Sequence, residues 1–301
     1  MDRQVIAIVG PKGGVGKSTI SANLAATLAM MNKRVIAVDL DLSGANLHTF
    51  FGIKDTVSLD DFILKKVSGL SSILIDTGIN NLKIVCGVSN IPGVSNMSEH
   101  QEMRLVREVL KLNAEIILLD LAAGASNSVV DFLFFANKGL LVTTPEINSL
   151  IKIYSFIKTS MYKKLLFYFK AKGTSELVKF IEDAMDFDNH PQIATIEDLF
   201  SQAGAINATV TESARVFIAN YNPLLVLNRV HTPQEASTVG TAIKGITRKF
   251  LNINCDVLMS ISEDADIRRS LAHSAPLVTY NKTSAFSREI KQLAMKLCSG
   301  C

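Results

Sequence analysis

The sequence GPKGGVGKST at residues 10–19 decides the fold. An apolar run over 5–9 precedes it and a long helix-forming stretch over 17–31 follows, so it predicts a loop between a strand and a helix. Glycines allow such a loop to wrap its backbone N–H groups around phosphate oxygens, and the helix presents its positive dipole end to the same anion. The pattern therefore indicates a phosphate-binding loop at the head of an α/β sheet.

The residues of this loop divide into backbone and side-chain ligands. Lys17 is predicted to reach the β- and γ-phosphates, and the Ser18 hydroxyl to ligate Mg²⁺. Pro11 stands where the first glycine of the G-x-x-x-x-G-K-[ST] pattern belongs. The predicted nucleotide contacts of the loop are Lys12, Gly13, Gly14, Val15, Gly16, Lys17, Ser18 and Thr19.

A second lysine, Lys12, lies five residues before Lys17 in the run KGGVGKS. This run resembles the MinD/ParA family of deviant-Walker P-loop ATPases. The resemblance implies binding of ATP or ADP with Mg²⁺, hydrolysis of ATP, and a homodimer that forms when ATP is bound. It also implies that Lys12 reaches across that dimer to the phosphates of the other subunit, where an added cation would stabilise charge in the transition state.

Acidic residues follow two further predicted strands. Asp39 and Asp41 alternate at the end of the strand over 35–38, and an apolar strand over 115–119 ends at Asp120. The carboxyl ends of parallel strands meet at the ligand crevice of such a sheet. Asp120 is in the Walker B arrangement, in which a carboxylate holds the metal through its water shell. An alternative interpretation stays open, in which Asp39 and Asp41 only cap the next helix or face solvent in a loop.

The resemblance assigns roles to these residues. Asp41 positions the attacking water, so the catalytic residues are Lys12, Lys17 and Asp41; Asp39 supports the phosphate loop indirectly. The metal residues are Ser18, Asp41 and Asp120. The remaining nucleotide contacts are Asn46, Gly124 with its N–H toward the γ-phosphate, Asn228 at the adenine, and Arg229. The double alanine 122–123 is typical of the flagellar-number (FlhG/FleN) branch.

Alternation of short apolar runs with helical stretches predicts a doubly wound, mostly parallel sheet with helices on both faces. We predict a single ATPase domain over 1–301. The segment over about 160–221 shows no convincing strand and is interpreted as a helical insert between two strands. The segment over 284–297 carries apolar residues at helical spacing and is predicted to close the domain as a helix packed on the sheet.

The composition is that of a globular protein, with 48% hydrophobic and 20% charged residues among 301. A net charge of +3 does not favour nucleic acid as a partner. Neither a signal peptide nor a membrane-spanning run is evident, which predicts a cytoplasmic location. Four cysteines are too few for a disulfide framework.

Three functions remain open at this level. The first is a switch that controls the position or number of a cell-envelope structure through a regulatory protein. The second is a DNA-partitioning ATPase of the ParA type. The third is an iron–sulfur carrier, suggested by the C-x-x-C pair Cys298 and Cys301.

One segment bears on membrane binding. Residues 161–172 combine a Met, Leu and aromatic face with four lysines, the composition of a helix at the inner face of a membrane. The alternative interpretation of the same pattern is a core or partner-binding helix with solvated lysines.

Overall fold

The computed structural model describes residues 3–41, 44–54, 57–87, 97–186, 190, 192–219 and 221–299. Its strands are β1 (Gln4–Gly10), β2 (Val35–Leu40), β3 (Ile75–Asp76), β4 (Leu82–Val85), β5 (Ile116–Ala123), β6 (Lys138–Thr143), β7 (Leu224–Val230) and β8 (Val257–Ser262). Its α-helices are α1 (Lys17–Met30), α2 (Leu59–Ile63), α3 (Glu99–Val109), α4 (Asn127–Phe135), α5 (Ile147–Ala171), α6 (Ser175–Ala184), α7 (Ile196–Ile206), α8 (Ala208–Ala219), α9 (Pro233–Leu251), α10 (Asp266–Ala272), α11 (Leu277–Tyr280) and α12 (Ala285–Cys298). Short 3₁₀ helices occupy Leu47–Phe51 and Leu70–Ile73.

The strands form one sheet in the order β3-β4-β2-β5-β1-β6-β7-β8. Every pair is parallel except β3 with β4. β1 lies between β5 and β6; the connection after β1 runs to β2 on one side, whereas the connection after β5 runs to β6 on the other side. The loop that follows β1 therefore sits at the point where the strand order reverses, the place where open α/β sheets bind ligands. The predicted doubly wound class is confirmed.

Alternate residues of the central strands serve the two faces of the sheet. On β1, Val5, Ala7 and Val9 pack on one face, whereas Ile6 and Ile8 pack on the other with α1, α11 and α12. Both sets are buried, which explains why the strand is an unbroken apolar run. The predicted closing helix is α12, and its apolar stripe packs beneath the sheet as expected, through Phe286, Ile290, Leu293 and Leu297.

Two strands were not predicted. β4 adds to β2 in parallel, and β3 pairs with it antiparallel at the edge of the sheet. Leu82, Ile84 and Val85 of β4 are buried while Lys83 is exposed. Four residues give too short a pattern to separate a strand from a loop, and only the neighbouring β2 makes it one.

The insert begins inside a helix. α5 starts directly after β6 and continues for 25 residues to Ala171, so residue 160 marks no boundary in the backbone. α6, α7 and α8 follow before β7, in agreement with the helical prediction for this part of the chain. Their buried residues, among them Leu177, Ile181, Leu199 and Ile218, extend one of the two cores of the domain.

Of the two interpretations of 161–172, the structure supports the core helix for the apolar face. Met161, Tyr162, Leu165 and Phe169 are at most 1% exposed, because this side of α5 packs against the rest of the insert and the sheet. An amphipathic pattern records that one face is apolar but not what covers it. Elsewhere on the same turns Phe167 is 69% exposed.

Substitution of glutamate at these two phenylalanines tests the assignment. Phe169→Glu places a charge in the core and should lower the free energy of unfolding by about 4 kcal/mol or more. Phe167→Glu, the matched control two residues away on the exposed side of α5, should change it by less than about 1 kcal/mol. Urea unfolding of the full chain measures both. Equal effects of the two substitutions would contradict the burial of Phe169.

Candidate functional site

The loop between β1 and α1 contains glycines at positions that residues with a side chain would occupy only with strain. Gly14 has φ 79° and Gly16 has φ 92°, in the left-handed region that side chains disfavour. Gly16 also caps the N-terminus of α1, and a Cβ built on it would lie 2.2 Å from Nδ2 of Asn228. Gly10 also leaves little space, since a Cβ built on it would lie 2.7 Å from Cγ2 of Val15. Gly13 faces open space.

The loop opens onto a cleft of about 430 Å³ at the carboxyl ends of the strands. Lys17, the first residue of α1, is only 7% exposed and lines this cleft. The free N–H groups at the start of a helix form a site for an anion. The cleft is lined by Gly13, Gly14, Gly16, Lys17, Ser18, Thr19, Asp41, Gly44, Asn46, Thr49, Phe50, Arg229 and Leu271.

Asp120 lies beneath the loop. It is 1% exposed, and its Oδ1 accepts a hydrogen bond of 2.9 Å from the Ser21 hydroxyl of α1. Burial raises the pKa of Asp120, while hydrogen bonding by Ser18 and Ser21 and the charge of Lys17 lower it. Its buried Oδ2 has no hydrogen-bond partner.

This donor set fits a divalent cation. A hard cation prefers oxygen ligands, and the unpaired carboxylate oxygen of Asp120 is such a group. The Ser18 hydroxyl and Asp41 line the cleft above it. The three predicted metal residues thus come together at one end of the sheet, where they would hold Mg²⁺ beside the phosphates.

Asp39 binds the backbone of the segment that follows β2. It pairs in register with Asp120 across β2 and β5 and is fully buried. Its carboxylate accepts backbone N–H groups from Asp41 at 3.1 Å and from Asn46 and Leu47 at 3.0 Å. Asp39 therefore fixes the segment that carries Asp41 and Asn46. Burial, with the charge of Asp120 second, raises the pKa of Asp39, and the backbone donors oppose this shift.

Lys12 lies at the rim and is held within its own chain. Its Nζ lies 2.6 Å from Oε2 of Glu146, the residue that precedes α5. Hydrogen bonding and charge from Lys12 lower the pKa of Glu146, with a smaller effect from Arg229. The sequence analysis assigns Glu146 no role. Its signal is an acidic residue at a helix start beside the crevice.

Two predicted nucleotide contacts are turned toward the loop's own backbone. Nδ2 of Asn228 donates to the carbonyl oxygen of Val15 at 2.8 Å, and Asn228 is 3% exposed. The N–H of Gly124 donates to the carbonyl oxygen of Gly10 at 2.9 Å. In this structure neither group faces the cleft. These hydrogen bonds satisfy carbonyl groups of the loop, and the nucleotide contacts of Asn228 and Gly124 stay predictions.

Two questions raised by the sequence concern a metal cluster and a membrane-spanning helix. Among the described residues no group of three or more His, Cys, Asp or Glu side chains forms a metal cluster. Cys298 is exposed, and Cys301 lies outside the described residues. Within the described ranges, no helix is both long enough and apolar enough to cross a membrane.

The fold and the loop define a class, that of the P-loop nucleotide-binding proteins. The model of the CobQ/CobB/MinD/ParA nucleotide binding domain matches residues 6–277, and the chain belongs to this family. The predicted resemblance to MinD and ParA proteins is therefore confirmed.

Particular relatives narrow the comparison. The chain is 34% identical to the antiactivator FleN of Pseudomonas aeruginosa over 157 residues, which cover 52% of this chain and 55% of that protein. It is 33% identical to the septum site-determining protein MinD of Helicobacter pylori over 148 residues, 48% of this chain and 54% of that one. The similarity thus spans about half the length of these curated relatives.

Solved structures extend the likeness of fold to the whole chain. MinD of Pyrococcus horikoshii, solved with Mg-ADP, superposes with a TM-score of 0.65 at 22% identity, covering 99% of this chain and 98% of that one. A ParA family ATPase from Chlorobium tepidum gives 0.64 at 17% identity and covers 98% of this chain and 99% of that chain.

Alanine at two glycines tests the geometry of the loop. Gly16→Ala adds a Cβ against Asn228 at a left-handed φ, and should lower the free energy of unfolding of the nucleotide-free protein by about 2 kcal/mol or more. Gly13→Ala, where no atom lies within 4 Å of the new Cβ, should leave it within about 0.5 kcal/mol. Urea unfolding distinguishes the two. A neutral Gly16→Ala would show that Asn228 does not hold the loop in this way.

Proposed function

We propose that this protein is an ATP-dependent dimerising switch that hydrolyses ATP to ADP and phosphate. We further propose that it regulates the placement or number of a cell-envelope structure through a partner protein. The observation that carries the first proposal is Lys12. It lies in the phosphate loop with its side chain 24% exposed, and its ammonium group donates a hydrogen bond to the exposed carboxylate of Glu146.

Lys12 is well placed to change partners. Its pair with Glu146 is solvent-exposed, and such pairs contribute little to stability. A triphosphate carried by a second subunit would offer Lys12 a higher negative charge than one carboxylate. Exchange of Glu146 for phosphate would then couple dimer formation to the bound nucleotide.

Each residue of the cleft has a distinct part in the proposed reaction. The loop N–H groups and Lys17 hold the β- and γ-phosphates at the start of α1. Asp41 orients the water that attacks the γ-phosphorus, and the bond to the bridging oxygen of ADP breaks. Mg²⁺, held by Ser18, Asp41 and Asp120, would neutralise charge on the phosphates. Asn46 and Asp41 stay in place because Asp39 binds the backbone of their segment.

The regulatory part of the proposal is supported by the relatives. FleN is described as an antiactivator and MinD as a septum site-determining protein. MinD of Aquifex aeolicus has been solved in complex with MinC. The insert α6–α8, added to a sheet that is complete without it, offers this chain additional surface for such a partner.

Lys12→Ala should separate nucleotide binding from assembly. Lys17 and the loop backbone remain, so affinity for ATP should change less than about threefold, whereas the ATP-dependent dimer and ATPase activity should be lost. Calorimetry, light scattering and phosphate release measure the three properties. Lys17→Ala, which removes the phosphate partner itself, is the control that should lose ATP binding. An unchanged dimer in Lys12→Ala would refute the role of Lys12.

Asp41→Ala should leave an ATP-loaded dimer that does not turn over. Its carboxylate is proposed to orient water and to aid the metal, while the phosphates are held by other groups, so the rate should fall by about 100-fold or more. Phosphate release and light scattering with ATP measure this. Hydrolysis at the wild-type rate would move the water-positioning role to another residue, with Asp120 the next candidate.

A further inference from the structure

A second cavity lies at the amino ends of the strands, opposite the carboxyl ends that carry the phosphate loop. Its volume is about 370 Å³, and it opens where β6 begins and just before β7. The sheet forms its floor, and α4, α5 and α8 with the residues that follow them form its walls. The lining includes Phe134, Ala136, Lys164, Phe167, Phe217 and Tyr221.

Lys164 is the unusual residue of this cavity. Its Nζ lies 5.6 Å from the ring centroid of Phe134 and 5.1 Å from those of Phe217 and Tyr221. In the part of the chain that the structure describes, its recorded partners are these rings, and no carboxylate oxygen lies within 4 Å of it. Burial lowers the pKa of Lys164. On the same helix, by contrast, Lys170 pairs with Glu182.

The chemistry of the cavity selects its ligand. An ammonium group among aromatic rings is partly desolvated, and a carboxylate at the cavity would supply the counter-charge it lacks. The rings offer an apolar surface for the body that carries the carboxylate, and a volume of this size accommodates a side chain or two. A cationic ligand would meet like charge. The cavity therefore fits an anion attached to an aromatic or branched aliphatic group.

The exposure of Phe167 favours a protein as the molecule that carries this anion. It stands at the rim and is 69% exposed, so an apolar surface continues beyond the cavity. Exposed aromatic residues beside a pocket are typical anchors of protein interfaces. We propose that this cavity, together with Phe167, binds a partner protein through a segment that presents a glutamate or aspartate next to an aromatic or leucine side chain. This inference rests on the proposed regulatory function.

The position of the cavity suits a regulator. α4 begins three residues after Gly124, whose N–H binds the phosphate loop at Gly10, and its last turn lines the cavity. α5 begins after Glu146, which holds Lys12, and carries Lys164 two-thirds of the way along its length. Lys163 also ties α5 to the carbonyl oxygen of Ala125 at 2.8 Å. A partner at the cavity would thus contact two helices that start at the nucleotide end.

Blocked dipeptides test the proposal on the full-length protein without nucleotide. Saturation-transfer NMR should show acetyl-Glu-Phe-amide binding about tenfold more tightly than acetyl-Gln-Phe-amide, because only the first supplies a charge to Lys164. Lys164→Met should abolish this preference, and Lys164→Arg should retain it. Lys170→Met, which removes the same charge from the same helix outside the cavity, is the matched control and should retain it. Phe167→Ala should weaken both peptides.

The outcomes separate the alternatives. Equal binding of the two peptides, or a preference that survives Lys164→Met, would overturn the assignment. Binding of free 3-phenylpropionate without binding of the Glu peptide would overturn the protein partner in favour of a small carboxylic acid. Thermal unfolding checks the fold of each variant, and the exposed Phe167→Ala keeps the test usable if Lys164→Met does not fold. Because no nucleotide is present, the result is independent of whether the protein dimerises or hydrolyses ATP.

Discussion

The structure depends on a constraint at one loop: backbone N–H groups must stay available for phosphate while the loop's carbonyl groups are satisfied from below. Glycine at 14 and 16 gives the chain the left-handed turns that point the donors outward. Asn228 binds the carbonyl of Val15, and the N–H of Gly124 binds that of Gly10. These partners come from β7 and from the end of β5, so the loop is correct only when the sheet around β1 has formed.

The same end of the sheet carries a pair of buried acids, Asp39 and Asp120. Asp39 and Asp120 are neighbours in register and repel each other, and burial disfavours their charged forms. The fold compensates them in different ways. Asp39 receives three backbone donors and so organises the segment after β2, whereas Asp120 receives Ser21 and keeps one oxygen for a cation. Two acids of similar sequence context thus differ, because Asp39 is satisfied by backbone donors and Asp120 keeps an oxygen that could bind a cation.

Helix α5 connects the nucleotide end of the domain with the insert. α5 is shared by both ends of the molecule, since it starts at the pair of Lys12 with Glu146 and continues into the core of the insert. The side chains on its buried face are at most 3% exposed. Lys164 lies on another side of the same helix, among three rings. A long helix can therefore place a recognition residue far from the nucleotide while remaining mechanically connected to it.

The sequence by itself determined the sheet class, the phosphate loop and the strand ends that carry Asp41 and Asp120, because these depend on local patterns: unbroken apolar runs, glycine spacing and acids after strands. It also predicted the helices of the insert. Tertiary structure decided what each surface faces. The apolar side of 161–172 lies in the core, and Asn228 and Gly124 bind the backbone of the loop. β4 pairs with β2 and β3 pairs with β4, and Glu146 binds Lys12, which is 134 positions away in the sequence. These are long-range contacts, and the periodicity of a segment carries no information about the partner that covers it.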